Sequence, residues 1–285
     1  MIVRYYILTV LLTYVVSESA ENLSQEQWES VQYLTQFGYI KQKDGEQFGI
    51  NIPILTNALK LLQKFAGLDV TGVLDKETKE LMAGPRCGMD DNVANFRSLA
   101  KWHKNWLTYR IVQYPRSRNL KKNVVNQIIR RAFNKWQDAT KLRFDEKKRG
   151  KVDIEISFVI GEHGDGAPFD GPGGTLAHAY FPQYGGDVHM DDTEYWTINS
   201  FTGTNLLQTL THELGHSLGL SHSDVDDAMM APFYTGWDPY MELHEDDIQA
   251  IQALYGPKLT NTTPKQPSSS FTGKNNFKEK ATKSV

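Results

Sequence analysis

The chain has 285 residues, of which 40% are hydrophobic and 11% aromatic, so it can bury a sizeable core and form two folded units. Its single cysteine excludes a framework of internal disulfides. The net charge of −3 conceals an asymmetry: residues 97–151 hold 17 Lys and Arg against 3 acidic residues, whereas residues 152–257 hold 18 acidic residues and no Lys or Arg. We expect the basic segment or bound divalent cations to offset these carboxylates.

The first twenty residues are typical of a secretory signal peptide. Arg4 precedes an apolar run at residues 5–16 that is too short to span a bilayer, and small and polar residues follow. A buried N-terminal strand is the less favoured alternative. We expect cleavage between Ser17 and Ala20, secretion into the extracellular space or matrix, and no membrane anchor.

The segment 21–95 is predicted to be a small all-α domain. Apolar residues recur at helical spacing from Trp28 to Phe37 and from Ala58 to Phe65, and a short third helix follows. The segment also contains Cys87. By itself this thiol has three interpretations, which are an intermolecular disulfide, an inert thiol and a metal ligand.

The segment 96–257 mixes strand and helix patterns. Strands are predicted at residues 108–112 and 152–159, a long amphipathic helix at 124–136, and further helices at 206–218 and 245–254. The basic part of this segment could bind an acidic polysaccharide, but lysine-rich helix faces are usually only solvated, and we favour that interpretation. The residues 258–285 are rich in Lys, Ser, Thr and Asn, and we expect a disordered tail.

Three histidines and one carboxylate of this segment have the chemistry of a structural zinc site. Four such ligands close a tetrahedral zinc with no open position. The set is His163, Asp165, His178 and His189. The alternative is an ordinary solvated acidic loop.

A turn-rich loop nearby can present carbonyl oxygens to a hard cation, with two carboxylates facing it. The predicted calcium ligands are Asp170, Gly171, Gly173, Thr175, Asp191 and Glu194. A solvated loop is again the alternative, because calcium loops lack a sharp spacing code.

The run HELGHSLGLSH predicts a metal site with its own catalytic base. His212 and His216 lie one helical turn apart, so both imidazoles leave the same face. Gly219 lets the chain leave the helix, and His222 returns as a third ligand. Three neutral nitrogens leave one position of a tetrahedral zinc open, as a catalytic site requires. Glu213 would act on water at that position.

A tight apolar turn, Ala228-Met229-Met230-Ala231-Pro232, follows this motif. Met230 is predicted to form a floor beneath the three imidazoles. An extended HExxH motif followed by such a Met-turn is the mark of metzincin proteases.

The PRCG run around Cys87, the histidine motif and the Met-turn together resemble the matrix metalloproteinases, or matrixins, over about residues 25–256. The resemblance implies an α+β zincin catalytic domain with a twisted, mostly parallel five-stranded sheet and three helices, preceded by the helical propeptide. It also implies that Cys87 binds the catalytic zinc in a latent precursor until the propeptide is cut away, and that Arg86 pairs with Asp91. Asp90 stands where the family usually has proline.

Further site residues follow from the same resemblance. A second calcium site would comprise Asp153, Gly185 and Asp187, and Asp192 would join Glu194 at a third. Gln208, Pro232 and Tyr234 would shape the pocket for the substrate residue after the cut. Cleavage near Asn95 would leave Phe96 as a new N-terminus, paired with Asp246 or Asp247.

The expected protein is therefore a secreted, zymogen-activated zinc endopeptidase acting on extracellular matrix proteins such as collagen. We expect two zinc and two or three calcium ions, an activating protease, a monomer, no nucleic-acid partner and a minimal form without a hemopexin-like domain. Two alternatives remain: a non-catalytic zinc-binding decoy, which would not need Glu213, and a metzincin of another subfamily, which the PRCG run disfavours.

Overall fold

The computed structural model describes residues 23–41, 50–91, 101–117 and 120–258. The expected signal peptide, the cleavage region near Asn95 and the tail after Lys258 lie outside these residues. Within them, no helix combines the length and the apolar character needed to cross a membrane.

Three helices form the N-terminal unit of the described chain: α1 (Gln25–Gln36), α2 (Ile52–Phe65) and α3 (Lys76–Ala83). Each begins after a residue whose side chain accepts a hydrogen bond from a backbone N–H of the first turn. These residues are Ser24, Asn51 and Asp75, respectively. Their apolar stripes meet in a buried core that comprises Val31, Leu34, Phe37, Tyr39, Ile40, Leu55, Ala58, Leu59 and Leu62. The small all-α unit predicted from helical periodicity is confirmed.

The second unit supplies most of the strands and the larger core. Its elements are β2 (Trp106–Gln113), α4 (Lys122–Ala139), β3 (Arg143–Glu146), β4 (Ile154–Val159), β5 (Thr175–Ala179), β6 (Val188–Asp191), β7 (Trp196–Thr197), β8 (Thr204–Asn205), α5 (Leu206–Ser217) and α6 (Glu245–Tyr255). The strands β7 and β8 pair with each other in a small separate sheet. The remaining strands join one sheet.

That sheet has six strands in the order β1-β5-β6-β4-β2-β3, where β1 is Arg86–Cys87. β5 is antiparallel to β6, and the other pairings are parallel. Five strands of this sheet and three helices belong to the second unit, as expected for a zincin. The sixth strand was not predicted, and it is contributed by the segment that follows the N-terminal helices.

Helices α4 and α5 pack together against the sheet and so place the metal-binding motif over the core. Ile154, Ile156 and Phe158 alternate as the buried face of β4, which is the pattern of a pleated strand. The indole of Trp136 in α4 is fully buried and donates to the carbonyl of Thr211 in α5 at 2.9 Å. This bond ties the two helices together one residue before His212.

Candidate metal centre and substrate cleft

Helix α5 presents His212 and His216 from one face, with their Nε2 atoms 3.1 Å apart. Each ring is held from behind: His212 Nδ1 donates to the carbonyl of Met229 and His216 Nδ1 to that of Leu220, both at 2.7 Å. Because a carbonyl only accepts, the Nδ1 atoms carry the protons. Both Nε2 lone pairs are therefore free for a metal.

The chain turns at the end of α5 and brings back the third histidine. Gly219 has a φ of 103°, which favours glycine, and Leu220 N donates to the carbonyl of Gly215 at 2.9 Å. The His222 ring centroid then lies 4.6 Å from that of His216 and 5.3 Å from that of His212. Nε2 of His222 is buried and has no hydrogen-bond partner in the part of the chain that the structure describes. A metal ion would satisfy this orphaned atom.

Burial keeps the three imidazoles neutral. It lowers the pKa of His212 to about 3 and that of His216 well below the ordinary value. Burial also lowers the pKa of His222, although the hydrogen bond to Asp91 opposes this shift. Neutral rings are the form that ligates zinc.

Cys87 lies at the fourth corner of this group. Its Sγ is 3.5 Å from His216 Nε2, and one ligand atom from each of the four residues lies within 4.8 Å of all the others. Burial, and after it the charge of Glu213, raises the pKa of the thiol well above its usual value. The structure thus brings together the four residues predicted to bind zinc in a latent form.

Glu213 is the unpaired carboxylate of the site. It is fully buried, and neither of its oxygens has a hydrogen bond of good geometry among the described residues, although the Cys87 thiol lies close by. Burial raises its pKa to about 8, and the thiol opposes this shift. A buried carboxylate without partners is costly in a merely structural role, so its position indicates a chemical one.

The Met-turn closes against α5 and depends on a residue that sequence reasoning assigned differently. A Cβ on Gly215 would lie 2.2 Å from Met230 Sδ, so the close approach requires glycine. The buried carboxylate of Asp247 accepts from the backbone N–H groups of Met229 and Met230 at 2.8 and 3.0 Å. Asp247 therefore fixes the turn. Its place at the third position of α6, in a capping box, was the available signal.

The segment around Cys87 fills the cleft as a strand. Arg86 N donates to the carbonyl of Gly174 and Gly88 N to that of Ala177, both at 2.8 Å. On the other side, Cys87 N donates to the carbonyl of Pro232, and Tyr234 N donates to that of Pro85, both at 2.9 Å. The chain thus occupies a slot with hydrogen-bonding groups on both walls.

Arg86 anchors this strand from within the protein. Its guanidinium pairs with Asp91 at 2.5 Å and donates to Tyr33 Oη at 2.8 Å. It also lies 3.6 Å from the ring centroid of Phe37 and 4.8 Å from that of Phe233. The predicted pair of Arg86 and Asp91 is present, and the aromatic contacts stabilise its desolvated charge.

Asp90, the departure from the family pattern, packs against the turn after α1. A Cβ on Gly38, which has a φ of 80°, would lie 1.9 Å from Asp90 Oδ1. The aspartate is therefore accommodated by a glycine in the N-terminal unit, and the strand with Cys87 still enters the cleft.

A cavity of about 260 Å³ opens beside Glu213. Gln208, Pro232 and Tyr234 all line it, as predicted, together with Met241. Gln208 bridges the loop beyond the Met-turn, because its Nε2 donates to the carbonyl of Gly236 at 3.1 Å and its Oε1 accepts from Asp238 N at 3.2 Å. A side chain of α5 thus joins the wall of the cavity to the loop beyond the Met-turn.

The second predicted zinc group is also assembled. Asp165 Oδ2 lies 2.8 Å from His163 Nε2, 2.9 Å from His178 Nε2 and 2.8 Å from His189 Nδ1. His189 Nδ1 lies 3.1 Å from His163 Nε2 and 3.2 Å from His178 Nε2. These spacings approach the roughly 3.3 Å between ligands of a tetrahedral zinc with bonds of about 2.0 Å. Burial lowers the pKa of His178 to about 4, so it too is neutral.

The loop predicted to bind calcium brings its carboxylates together. Asp191 Oδ2 is buried without a hydrogen-bond partner among the described residues. Burial, and the nearby charge of Asp191, raise the pKa of both Asp170 and Glu194. Gly173 N donates to Glu194 at 2.6 Å, so the loop closes toward these oxygens. A hard divalent cation fits such a donor set.

The other predicted calcium ligands have protein partners. Asp153 accepts from Lys104 Nζ at 2.6 Å and from Thr108 N at 2.8 Å, whereas Asp187 accepts from Glu155 N at 2.8 Å. Asp192 accepts from the backbone N–H of Arg116 at 2.9 Å. These contacts give Asp153 and Asp187 separate partners, and both additional sites stay predictions.

Comparison with known proteins agrees with this geometry. Residues 101–256 match the matrixin family, and residues 29–82 match a family described as a putative peptidoglycan binding domain. Human matrilysin is 42% identical over 254 residues, which cover 87% of this chain and 92% of matrilysin.

Longer relatives match a part of their length. Mouse stromelysin-1 is 45% identical over 76% of this chain and 45% of its own length, and bovine interstitial collagenase is 46% identical over 75% and 46%. The chain thus spans about half the length of these two relatives. From the matched catalytic segment and these identities, the chain belongs to the matrixin family of zinc-dependent metalloendopeptidases.

Proposed function

We propose that this protein is a secreted precursor of a zinc endopeptidase, which becomes active when its N-terminal unit is removed. One observation carries the proposal: three neutral imidazoles meet a thiol and a buried carboxylate, and His212, Glu213 and Cys87 of this group line a cavity. His212, His216 and His222 would hold the catalytic zinc, and Cys87 would complete its ligands in the precursor.

Glu213 would be the general base. When bound, zinc supplies Lewis acidity that polarises a peptide carbonyl and lowers the pKa of a water ligand toward about 7. Glu213 then accepts the proton of the attacking water and delivers it to the leaving amine. Burial raises the pKa of Glu213, which makes its ionised carboxylate a stronger base toward that proton.

The walls of the cleft suggest how a substrate would bind. The carbonyls of Gly174, Ala177 and Pro232 and the N–H of Tyr234 hydrogen-bond the strand that contains Cys87. After that strand leaves, the same groups would pair with an extended substrate backbone. The pocket formed with Gln208, Pro232 and Tyr234 would receive an apolar side chain of an extracellular matrix protein.

Further predictions from the sequence extend this proposal. The chain would divide into a signal peptide (1–20), a propeptide (21–95), a catalytic domain (96–257) and a tail (258–285). His163, Asp165, His178 and His189 would bind a structural zinc. The loop with Asp170, Asp191 and Glu194 would bind calcium, and the sites of Asp153, Asp187 and Asp192 are proposed for additional ions. The active form would be a monomer.

The mature N-terminus would form an ion pair with Asp246. Asp247 is buried and already accepts three backbone N–H groups, from Met229, Met230 and His244. Asp246 is exposed and accepts from Ser223 Oγ at 2.7 Å. N-terminal sequencing of the activated protein tests this step, and a mature end far from Phe96 would reject it.

Glu213→Ala tests the function against the rival of a zinc-binding decoy. We expect peptide cleavage by the activated variant to fall by about 10³-fold or more, within the range for loss of a general base, while its zinc content stays at the parent's value. Glu146→Ala, at an exposed glutamate of β3, is the matched control and should cleave like the parent. Undiminished cleavage in Glu213→Ala would contradict the mechanism, and no cleavage by the activated parent would favour the decoy.

A further inference from the structure

Asp91 contacts more than the arginine with which it was expected to pair. Its Oδ1 lies 2.5 Å from Arg86 Nη2 and 2.7 Å from His222 Nδ1, and its Oδ2 accepts from Tyr39 Oη at 2.7 Å. The side chains of Asp91 and His222 are 1% and 0% exposed. One buried carboxylate therefore contacts both Arg86, which anchors the strand with Cys87, and the predicted metal ligand His222.

This contact sets the orientation and tautomer of His222. A carboxylate beside Arg86 accepts hydrogen bonds, so Nδ1 of His222 carries the proton and the lone pair of Nε2 faces the site. Among the described residues, nothing forms a hydrogen bond with His222 Nε2. The bond thus prepares the atom that would bind zinc.

The three predicted ligands differ in the origin of this outer contact. His212 and His216 donate to carbonyls of the catalytic unit, from Met229 and Leu220. His222 donates to a carboxylate that precedes the expected cut near Asn95. Removal of the propeptide would therefore leave the contacts of the first two histidines intact and take away that of the third.

We propose that Asp91 is a positioning residue for His222, so that the propeptide supplies an outer acceptor to the catalytic zinc site in addition to the thiol of Cys87. The inference rests on the proposed function. Activation then changes the site twice: the thiol leaves, and His222 loses its carboxylate. The precursor holds zinc more tightly than the thiol alone accounts for, because an acceptor behind a histidine ligand raises its basicity and fixes its ring.

The test measures zinc loss from the intact precursor to a chromophoric chelator. The parent is the double variant Cys87→Ser, Glu213→Ala, which removes the thiol and prevents self-cleavage. Adding Asp91→Asn keeps the shape of the side chain and removes its charge, and we expect zinc to leave about tenfold faster, in the range known for outer partners of metal ligands.

Two controls separate this role from general effects. Asp90→Asn removes a neighbouring charge, and we expect its rate to stay within about twofold of the parent, well below the effect of an outer acceptor. Arg86→Gln breaks the ion pair but leaves Asp91 facing His222, and its rate should lie closer to the parent than to Asp91→Asn.

The proposal is overturned if Asp91→Asn accelerates zinc loss by less than about threefold, below the range for an outer partner, or if either control equals it. If Asp90→Asn loses zinc as fast as Asp91→Asn, the effect comes from charge alone. If Arg86→Gln does so, the effect comes from the loss of the ion pair between Arg86 and Asp91. A parent that binds no zinc would instead contradict the proposed function, before any variant is compared.

Discussion

The two histidine clusters of this protein use similar parts but complete them differently. The cluster of His163, Asp165, His178 and His189 takes all four groups from the catalytic unit. The cluster of His212, His216 and His222 takes its fourth group, Cys87, from the segment after the N-terminal helices. Under the proposed function, one chemistry serves two purposes: four ligands supplied by one unit favour a permanent ion, whereas a ligand supplied by the N-terminal segment can leave and open a coordination position.

Loss of one histidine from the cluster of His212, His216 and His222 should have the largest effect on activity. We expect His216→Ala to lower the kcat/KM of the activated enzyme by about 10³-fold or more, which corresponds to the several kcal/mol that zinc contributes to the transition state. Peptide hydrolysis and zinc content measure this together. Residual activity above a tenth of the parent's would mean that this cluster is not the reacting one.

Loss of Cys87, the ligand that the N-terminal segment supplies, should raise the activity of the precursor. Cys87→Ser should raise the activity of the uncleaved precursor by at least about tenfold, a change equivalent to roughly 1.4 kcal/mol. The reason is that a serine hydroxyl binds zinc poorly compared with a thiolate. The activated forms of variant and parent should be indistinguishable, since cleavage removes this residue. An equally silent precursor would show that the strand blocks the cleft without help from sulfur.

Loss of a ligand from the cluster of His163, Asp165, His178 and His189 should lower the stability of the protein more than its activity. His178→Ala removes one of the three histidines around Asp165, and we expect the free energy of unfolding to fall by about 2–4 kcal/mol, because loss of a structural metal is among the larger effects of single substitutions. Thermal unfolding with zinc present measures this, and His103→Ala, at an exposed histidine, is the matched control. An unchanged melting temperature would remove the structural role of this cluster.

The smallest effect, again on stability, is expected at the Met-turn next to the cluster of His212, His216 and His222. Asp247→Asn retains one acceptor oxygen but replaces the other with a donor that faces a backbone N–H. We expect a loss of about 1–3 kcal/mol in the free energy of unfolding of the precursor. Asp246→Asn, at an exposed neighbour, should cost less than about 0.5 kcal/mol. Similar losses in both variants would contradict the assignment of Asp247 to the turn.

The parts of the site that follow from local spacing were predictable. Helical periodicity places His212 and His216 together, and Gly219 indicates the turn that returns His222. Strand alternation predicted β4, and the periodicity of apolar residues predicted the N-terminal helices. In each case the pattern repeats within a few residues, so one segment contains the whole signal.

The parts that depend on contacts between distant segments were not predictable. Asp91 and His222 are 131 residues apart, and no local pattern shows that their side chains meet. Asp246 and Asp247 were both candidates for pairing with the new N-terminus, and no local pattern shows that Asp247 accepts from the backbone N–H groups of Met229 and Met230. The sixth strand was missed because Arg86–Cys87 has only two residues and forms a strand through its neighbours.

The position of β1 at the end of the sheet order has a consequence for handling the mature enzyme. If activation removes this short strand, as we propose, β5 becomes the border of the sheet and exposes unpaired N–H and C=O groups. Such a border is a template for another extended chain, whether a substrate or a damaged copy of the enzyme. Preparations of the activated form should thus be more prone to aggregation than the precursor, and a peptide that covers β5 should keep them in solution.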